Sequence, residues 1–326
     1  MTNVSVIAGG AGFVGCNLLP LLAKEGRQLV VIDNLCRGRE KYLEHARVSA
    51  PGCVHFIQAD LSDRDITLKV FDTIHKLGFI DEVWHLAANS DIPAGVSDAN
   101  VDLRDTFMTT FSLLEALKVN EIATLHFASS SAIYGDLDGI QLHEDIGPLL
   151  PISNYGAMKL ASEALISAAA ESYLKRANIF RFPNVIGVPA THGVLLDFFN
   201  KLKINPSRLE VLGNGTQQKA YLHVSDLVDA MLHVRRIEHL DKIYPINIGP
   251  VDNGVSVRFI ANSVVERVNP LADISWGVGN KGWVGDVPKF NYSTTKIQAL
   301  GWKPSLGSEA AVLRAIDEIF RQVFTI

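Results

Sequence analysis

Short apolar runs alternate with longer stretches of helical character through the first half of the chain. The runs are rich in β-branched and aromatic residues, and we predict strands at 4–9, 29–33, 54–59, 82–88, 124–129 and 177–182. Helical patterns separate them near 13–25, 64–76, 101–119 and 156–170. Strands that are apolar almost throughout are typical of a sheet covered on both faces, and their alternation with helices favours parallel order. The sequence therefore predicts an α/β fold with a doubly wound parallel sheet.

The alternation becomes irregular after about residue 184. Gly, Pro and Asn in "NVIGVPATHG" and "LGNGTQQ" are typical of loops. A helix at 225–236 and a strand at 244–249 have the pattern of elements that return to the main sheet. We therefore predict a first domain over 1–184 that also receives 223–249, and a smaller, discontinuous lobe over 185–222 and 250–326.

Composition excludes several classes of protein. Of the 326 residues, 48% are hydrophobic and 20% are charged, and the net charge of −5 is spread along the chain, which argues against binding to nucleic acid or to a membrane surface. Cys16, Cys36 and Cys53 form no CxxC pattern, which favours a reducing compartment and no structural metal. There is no basic leader before the first apolar run and no apolar run of about 18 residues, so we expect a cytoplasmic protein.

A glycine triplet follows the first predicted strand. In "VSVIAGGAGFVG", Gly9, Gly12 and Gly15 lie where the next helix begins, so the chain can turn tightly and bring backbone amides close to a pyrophosphate. Asp33 ends the second strand, 21 residues after Gly12, where a carboxylate accepts hydrogen bonds from ribose hydroxyls and repels a 2′-phosphate. This pattern predicts a dinucleotide site that prefers NAD to NADP.

Two nearby residues have alternative interpretations. Arg37 is either a guanidinium that accommodates the 2′-phosphate of NADP or a solvated loop charge. Asp60, in "QADLSD", either contacts the adenine or is the N-cap of the helix after it.

Tyr155 and Lys159 lie four residues apart in "SNYGAMK" and therefore share one face of a helix. Tyrosine has a reference pKa near 10, but an adjacent ammonium and a positive nicotinamide ring both favour the phenolate. Such a pair can remove a hydroxyl proton while hydride leaves the same carbon.

In this order along the chain, the motifs resemble the extended short-chain dehydrogenase/reductase superfamily, in its NAD-dependent sugar-nucleotide epimerase/dehydratase branch. The resemblance rests on the glycine triplet, Asp33, Asp60, "HLAA", "SSSAIYG", "YGAMK", "RFPNVIG", "YLHVSDLVDA" and "LGWKP". It implies a Rossmann-like NAD-binding first domain and a substrate-binding second lobe. The cofactor contacts it implies are Gly9, Gly12, Phe13, Val14, Gly15, Asp33, Asn34, Asp60, Leu61, Leu86, Ala87, Ala88, Tyr155, Lys159 and Phe182.

The resemblance also assigns the chemistry. Ser130, four residues before Tyr134, takes the place of the family's catalytic Ser or Thr, and it would orient the substrate for the base Tyr155 while Lys159 lowers the pKa of that tyrosine and holds the ribose. Related 4,6-dehydratases carry Asp and Glu at the next two positions, where this chain has Ser131 and Ala132. The resemblance therefore favours epimerisation of a nucleoside-diphosphate sugar at C4 through a 4-keto intermediate.

Other activities remain as alternatives. One is a 4-keto-sugar reductase or an atypical dehydratase that takes its base from elsewhere. Another is a non-catalytic NAD-binding regulator, which the presence of Ser130, Tyr155 and Lys159 disfavours.

The predicted substrate contacts depart from the family pattern in places. The resemblance assigns Ser130, Ser131 and Asn184 to the substrate, Asn184 at its diphosphate. Lys219 replaces a usual arginine, which keeps the charge and loses the bidentate fork. Trp283, in "WVGD", replaces a second arginine. Either Lys281 compensates for it, or Trp283 stacks on a ring of the ligand or packs within the protein.

The resemblance also predicts a homodimer, because the family commonly pairs two of these helices across a twofold axis. The apolar residues at helical spacing are Phe107, Phe111, Leu114 and Leu117 in one helix and Ala161, Leu165 and Ala168 in the next. Packing in the core of one subunit explains the same pattern.

Overall fold

The computed structural model describes residues 3–137, 140–279 and 291–324. Its strands, in chain order, are β1 (Asn3–Ala8), β2 (Gln28–Asp33), β3 (Val54–Gln58), β4 (Phe79–His85), β5 (Thr124–Ala128), β6 (Gln141–Leu142), β7 (Arg176–Arg181), β8 (Asn184–Ile186), β9 (Arg208–Val211), β10 (Gln218–Lys219), β11 (Tyr221–His223), β12 (Ile243–Asn247), β13 (Val255–Ser256), β14 (Asp273–Trp276) and β15 (Asn291–Tyr292).

The α-helices are α1 (Phe13–Ala23), α2 (Glu44–Ser49), α3 (Arg64–Ile74), α4 (Ile92–Ser97), α5 (Ala99–Asp102), α6 (Thr109–Val119), α7 (Asn154–Ser172), α8 (Val194–Ile204), α9 (Val224–Arg235), α10 (Val257–Val268), α11 (Thr295–Ala299) and α12 (Ser308–Phe324). Short 3₁₀ helices cover Glu40–Leu43 and Ser131–Tyr134, and a π-helical segment covers Leu103–Met108.

The chain forms two compact units. The first contains Met1–Ile133, Ser153–Arg181 and Met231–Ile246, and the second contains Tyr134–Ile152, Phe182–Ala230 and Asn247–Ile326. The division differs from the predicted domains in three ways: Tyr134–Ile152 joins the second unit, residues 182–184 join it too, and a shorter segment, Met231–Ile246, returns to the first.

A seven-stranded sheet organises the first unit, in the order β12-β7-β5-β4-β1-β2-β3. The pairs β3-β2, β2-β1, β1-β4, β4-β5 and β5-β7 are all parallel. The predicted doubly wound fold is thereby confirmed, and all six predicted strands of the first half are present. The strand order reverses direction at β1 and β4, and the carboxyl ends of these two strands frame the crevice in which such folds bind ligands.

The predicted helix at 101–119 is interrupted. It divides into α5, the π-helical segment Leu103–Met108 and α6. Thr109 and Thr110 donate their hydroxyls to the carbonyl of Thr106, at 2.9 and 3.1 Å. Hydroxyls that bond main-chain carbonyls compete with a regular helical ladder, and single-turn π segments are frequent at functional sites.

The second unit has its own core. Apolar side chains of α8, α10 and α12 pack together there, among them Phe199, Val264 and Ile316, all of them buried. Two-residue to four-residue strands accompany the helices: β8 pairs with β11 and β9 pairs with β14, both in parallel. Elements this short give weak periodicity, which is why the sequence predicts mainly loops here.

Within residues 3–137, 140–279 and 291–324, no helix is long and apolar enough to cross a membrane. They also contain no group of three or more His, Cys, Asp or Glu side chains arranged to hold a metal ion.

Candidate functional site

The glycine-rich turn after β1 is packed too tightly for side chains. A Cβ on Gly9 would lie 2.6 Å from the amide nitrogen of Ala87, and one on Gly15 would lie 2.5 Å from Cα of Gly10. Gly9 also has φ of +78°, which favours glycine. Gly12 is the N-cap residue of α1, so Phe13, Val14 and Gly15 form its first turn. The N-terminus of α1 is therefore accessible to an anionic group.

Asp33 is held beside this turn. Its carboxylate accepts the amide of Ala11 at 3.0 Å and that of Leu35 at 2.9 Å. Burial raises its pKa, and these two backbone hydrogen bonds oppose that rise. Each carboxylate oxygen can accept a second hydrogen bond, so Asp33 retains capacity for ribose hydroxyls. The following residue, Asn34, accepts the amide of Cys36 at 3.0 Å.

Arg37 lies in the same loop but is engaged elsewhere. Its Nη2 donates to Oδ2 of Asp91 at 2.7 Å, and both side chains are about one-third exposed (37% and 36%). A guanidinium already paired with a carboxylate is less available to a 2′-phosphate. This geometry supports the interpretation of Arg37 as a loop charge.

Asp60 and Leu61 follow β3. The carboxylate of Asp60 accepts the amide of Ser62 at 2.9 Å, and Leu61 is buried. The N-cap of α3 is Asp63, which accepts the amides of Asp65 and Ile66. Asp60 is therefore not the helix cap that the alternative interpretation predicted.

The segment after β4 crosses the end of β1. Leu86 donates its amide to the carbonyl of Ala8 at 2.9 Å, and Ala87 lies against Gly9. Leu86, Ala87 and Ala88 are partly exposed. The structure thus brings this group of predicted cofactor contacts beside the glycine turn.

Ser130 and Tyr155 meet on the same side of the first unit. Ser130 lies two residues after the end of β5, and its Oγ accepts the backbone amide of Ala132 at 3.1 Å. Its hydroxyl also hydrogen-bonds the phenol of Tyr155, in the first turn of α7. The N-cap of α7 is Ser153, which accepts the amide of Gly156 at 3.1 Å. Two ordered local structures, a 3₁₀ turn and a capped helix, therefore hold the pair.

The surrounding protein raises the pKa of Tyr155 to about 12. Desolvation is the main cause, the carboxylate of Asp102 adds to it, and the hydrogen bond with Ser130 opposes both. The tyrosine is thus a phenol at neutral pH in the protein alone. Additional positive charge is required before it can act as a base.

Lys159 is buried one turn further along α7. Its Nζ donates to the carbonyl of Ala128 at 2.6 Å and lies 5.8 Å from the centroid of the Tyr155 ring. Desolvation lowers the pKa of Lys159 to about 7, while the carboxylates of Glu163 and Asp102 oppose that change. The ammonium is therefore partly ionised near neutral pH.

The adjacent serine, Ser129, has a different partner. It donates to Oε1 of Glu163 at 2.5 Å, and Arg181 donates to both oxygens of the same carboxylate, at 3.1 and 2.7 Å. Ser131 is buried in the 3₁₀ turn. Among the three serines, the structure thus places the hydroxyl of Ser130 at Tyr155 and anchors Ser129 in a buried ion pair.

Three further predicted residues belong to the second unit. Asn184 is the exposed first residue of β8, and its Nδ2 lies 3.5 Å from the carbonyl of Ala220, next to Lys219 on β10. Asn184 and Lys219 are therefore neighbours. Phe182 is partly exposed directly after β7. Lys281 and Trp283 lie outside the described residues.

The sequence did not indicate several polar groups around Tyr155 and Lys159. Glu163 could have been found, since it lies one helical turn after Lys159 and faces the same way. His85 stands in the "HLAA" motif and is buried, with Nε2 2.8 Å from Oγ1 of Thr110. Asp102 and Asn89 carried no signal, because the segment around Asp102 was predicted to be regular helix.

Comparison with known proteins gives a consistent result. Residues 5–249 match the model of a family described as the NAD dependent epimerase/dehydratase family. The chain is similar to a UDP-glucose 4-epimerase of Streptomyces lividans, with 30% identity in an alignment of 333 positions that covers 96% of this chain and 94% of that protein.

Solved structures agree with the sequence comparison. A crystal structure of a UDP-galactose 4-epimerase superposes with a TM-score of 0.85 and 33% identity, covering 98% of this chain and 100% of the other. The UDP-glucose 4-epimerase of Thermus thermophilus, in complex with NAD, superposes with a TM-score of 0.81 and 27% identity, covering 97% and 98%.

Proposed function

Because the chain belongs to the NAD-dependent epimerase/dehydratase family, we propose that it interconverts C4 epimers of a nucleoside-diphosphate sugar. The observation that carries the proposal is the hydrogen-bonded pair of Ser130 and Tyr155, with Lys159 buried on the same helix face. A pair of this kind can exchange a proton with a sugar hydroxyl.

NAD is the family's cofactor, and the first unit fits it. The Gly9 turn leaves a cradle that any Cβ would fill, and Asp33 lies beside that turn with its carboxylate fixed by backbone amides. When bound, NAD would supply a reversible hydride acceptor and, in its oxidised form, positive charge that favours the phenolate of Tyr155. The remaining steps are assigned to this chain's own residues.

Tyr155 removes the proton of the C4 hydroxyl and later returns a proton to the 4-keto oxygen. Ser130 orients that oxygen, because its hydroxyl is already bonded to Tyr155 and can be shared with the substrate. Lys159 contributes positive charge, which favours the phenolate. Inversion requires the keto sugar to rotate before hydride returns to its opposite face.

The residues after Ser130 disfavour elimination of water. Ser131 and Ala132 occupy the positions where related dehydratases carry an acid and a base, and alanine has no proton to transfer. Asn184 and Lys219, adjacent in the second unit, supply an amide and a cation suited to a diphosphate. UDP-glucose is the first substrate to test, since similar proteins act on UDP-glucose or UDP-galactose.

The test is product analysis with UDP-glucose that carries deuterium at C4. We expect UDP-galactose that keeps the deuterium, with no net formation of NADH. Loss of water from the sugar, or stoichiometric consumption of the cofactor, would instead show the dehydratase or the reductase. If UDP-glucose is not turned over, the same assay is run with the GDP and dTDP sugars.

The catalytic assignment is tested by Tyr155→Phe. Turnover should fall by about 10²- to 10⁴-fold, the usual range for loss of a general base, while NAD binding persists. Tyr173→Phe is a matched control, since Tyr173 also lies at an end of α7 but donates its hydroxyl to the carbonyl of Leu114. Equal activity of the Tyr155→Phe variant and the unmodified protein would refute the mechanism.

A further inference from the structure

Asp102 is a buried carboxylate that the proposed reaction does not use. Its side chain is inaccessible to solvent, at 0% exposure. Oδ1 accepts a hydrogen bond from the side-chain Nδ2 of Asn89 at 2.8 Å. Oδ2 has no hydrogen-bond partner within the described part of the chain. A buried carboxylate with a single side-chain donor is unfavourable unless charge nearby compensates for it.

The fold makes room for this carboxylate beside the catalytic helix. A Cβ on Gly95 of α4 would lie 1.7 Å from Oδ2 of Asp102, so only glycine is compatible with the position of Asp102. The carbonyl of Gly95 accepts Nδ2 of Asn154 at 2.8 Å. Asn154 immediately precedes Tyr155. The corner between α4 and α5 is thereby attached to the first turn of α7.

The charged groups that face Asp102 come from three elements. Asp91 precedes α4, Asp105 lies in the π-helical segment, and Lys159 lies on α7. The six residues of α4, "IPAGVS", include no titratable side chain. The two carboxylates and burial raise the pKa of Asp102, whereas the Lys159 ammonium opposes the rise. Of these three groups, Lys159 is the one that carries positive charge.

The negative charge of Asp102 acts in turn on Tyr155 and Lys159. Asp102 raises the pKa of Lys159 and that of Tyr155. Tyr155 otherwise faces Ser130, and Lys159 also faces Glu163 and the buried His85. Glu163 has the larger effect on the pKa of Lys159 but is itself paired with Arg181, whereas Asp102 has one side-chain donor and an Oδ2 without a partner in the described part of the chain.

We propose that Asp102 is a positioning residue that acts through Lys159 and Tyr155 as a second buried counter-charge, beside Glu163, of the Lys159 ammonium. The inference rests on the proposed function, because it assumes that these two side chains perform the proton transfer. Asp102 keeps Lys159 protonated in a dry environment and delays the ionisation of Tyr155. It thereby sets the pH range in which the pair is active.

Asp102→Asn tests this with little change of shape, since asparagine can still accept the hydrogen bond from Asn89. Loss of the negative charge should move both limbs of the pH profile of kcat/KM to lower pH, by on the order of one unit. The acidic limb moves because Tyr155 ionises more easily, and the basic limb moves because Lys159 loses its proton more easily. Limbs that stay in place under a lower maximum would overturn the proposal.

Asp98→Asn is the matched control. Asp98 is the exposed N-cap of the same helix, α5, and accepts the amide of Asn100 at 3.0 Å. Asparagine caps helices about as well as aspartate, and Asp98 does not act on Tyr155 or Lys159. Both limbs should therefore remain in place in this variant.

A second measurement does not depend on turnover. With isotopically labelled lysine, NMR follows the titration of Lys159, and its signal is assigned by its loss in Lys159→Met. The midpoint should fall by about one pH unit in Asp102→Asn. An unchanged midpoint would overturn the role of Asp102. An inactive protein with a shifted midpoint would contradict only the proposed function.

Discussion

Glu82 and Asp102 are both buried carboxylates of the first unit, yet their surroundings differ. Glu82, on β4, receives Ser5 at 2.7 Å, His126 at 3.2 Å and Arg235 at 2.6 Å. Asp102 receives one side-chain donor and leaves Oδ2 without a partner in the described part of the chain. The pKa of Glu82 lies below its usual range because His126 and Arg235 outweigh burial, whereas burial raises the pKa of Asp102.

The difference separates a structural ion network from a tuning charge. Nδ1 of His126 accepts a hydrogen bond from the side-chain Nδ2 of Asn178 at 3.1 Å. The ring proton therefore lies on Nε2, which donates to Glu82. Both carboxylate oxygens of Glu82 thus have donors. Such a carboxylate stabilises the fold and has no freedom to respond to chemistry, while Asp102 depends on the charge state of its neighbours.

Glu82→Gln should have the largest effect on stability. The substitution leaves Arg235, whose side chain is 14% exposed, with only Glu25 as its counter-charge, and loss of a buried ionic partner costs up to about 3 to 5 kcal/mol. Urea unfolding measures the loss, and the pH limbs of turnover should not move, since Glu82 does not act on Tyr155 or Lys159.

The matched control for Glu82 is Glu25→Gln. Glu25 accepts the other end of the same arginine, at 2.8 Å, but is 28% exposed. An exposed partner is worth about 1 kcal/mol or less. If the two variants lose similar free energies of unfolding, the buried contacts of Glu82 stabilise the fold no more than the part-exposed pair of Glu25 does.

Gly95→Ala should come next. The added methyl would displace the carboxylate of Asp102, and overpacking of this kind costs about 1 to 3 kcal/mol. In the Asp102→Ala background the space is empty, so the same substitution should become neutral or stabilise α4 by up to about 1 kcal/mol. Equal effects in both backgrounds would contradict the packing of Asp102 against Gly95.

The pH dependence of stability distinguishes the regions more finely. Burial, with the nearby Lys159 charge, lowers the pKa of His85 to about 3, so the unfolded chain binds a proton that the folded state does not. The free energy of unfolding should therefore fall as pH falls below the unfolded value near 6.5, by about 1.4 kcal/mol per pH unit for this group. Stability from Glu82 is fully present above its unfolded pKa and is lost only at lower pH.

Urea unfolding between about pH 6 and about pH 5 isolates the histidines from Glu82. His85→Gln should reduce the slope of the unfolding free energy against pH by the contribution of one proton. Part of the slope should remain, because burial also lowers the pKa of His126. His45→Gln, at an exposed histidine, is the control and should leave the slope as it is. An unchanged slope in His85→Gln would show that the buried ring is charged.

The comparison also shows what the sequence can predict. Strands such as 4–9 and 29–33 were predictable because parallel strands covered on both faces are apolar almost throughout, and β1 and β2 lie there, buried over most of their length. The strands of the second unit were not predictable, since strands as short as β10 and β13 have too few residues for periodicity. Likewise, Tyr134–Ile152 belongs to the second unit through contacts that are distant in sequence.

The site divides in the same way. Helical spacing predicts that Tyr155 and Lys159 act as a pair, and resemblance to a family adds Ser130 to that prediction. Asp102 was not predictable, because its importance comes from a π-helical interruption and from a glycine in another helix. Motifs reveal groups that are close in sequence, whereas charge compensation in a buried site depends on packing.

The smallest expected effect concerns the exposed edge of the Asp102 region, where Asp91 pairs with Arg37 at 2.7 Å. Asp91→Asn keeps the cap of α4 through Oδ1 and removes the charge that holds Arg37. Because an exposed pair is worth about 1 kcal/mol at most, affinity for NADP should rise by no more than about fivefold, and affinity for NAD should not change.

Calorimetric titration of each nucleotide measures this, and Arg37→Ala in the same background should abolish the gain. Equal changes for both nucleotides would mean that Arg37 does not face the ribose. Asp33 would still repel the 2′-phosphate, so the preference for NAD should survive even when the arginine is released.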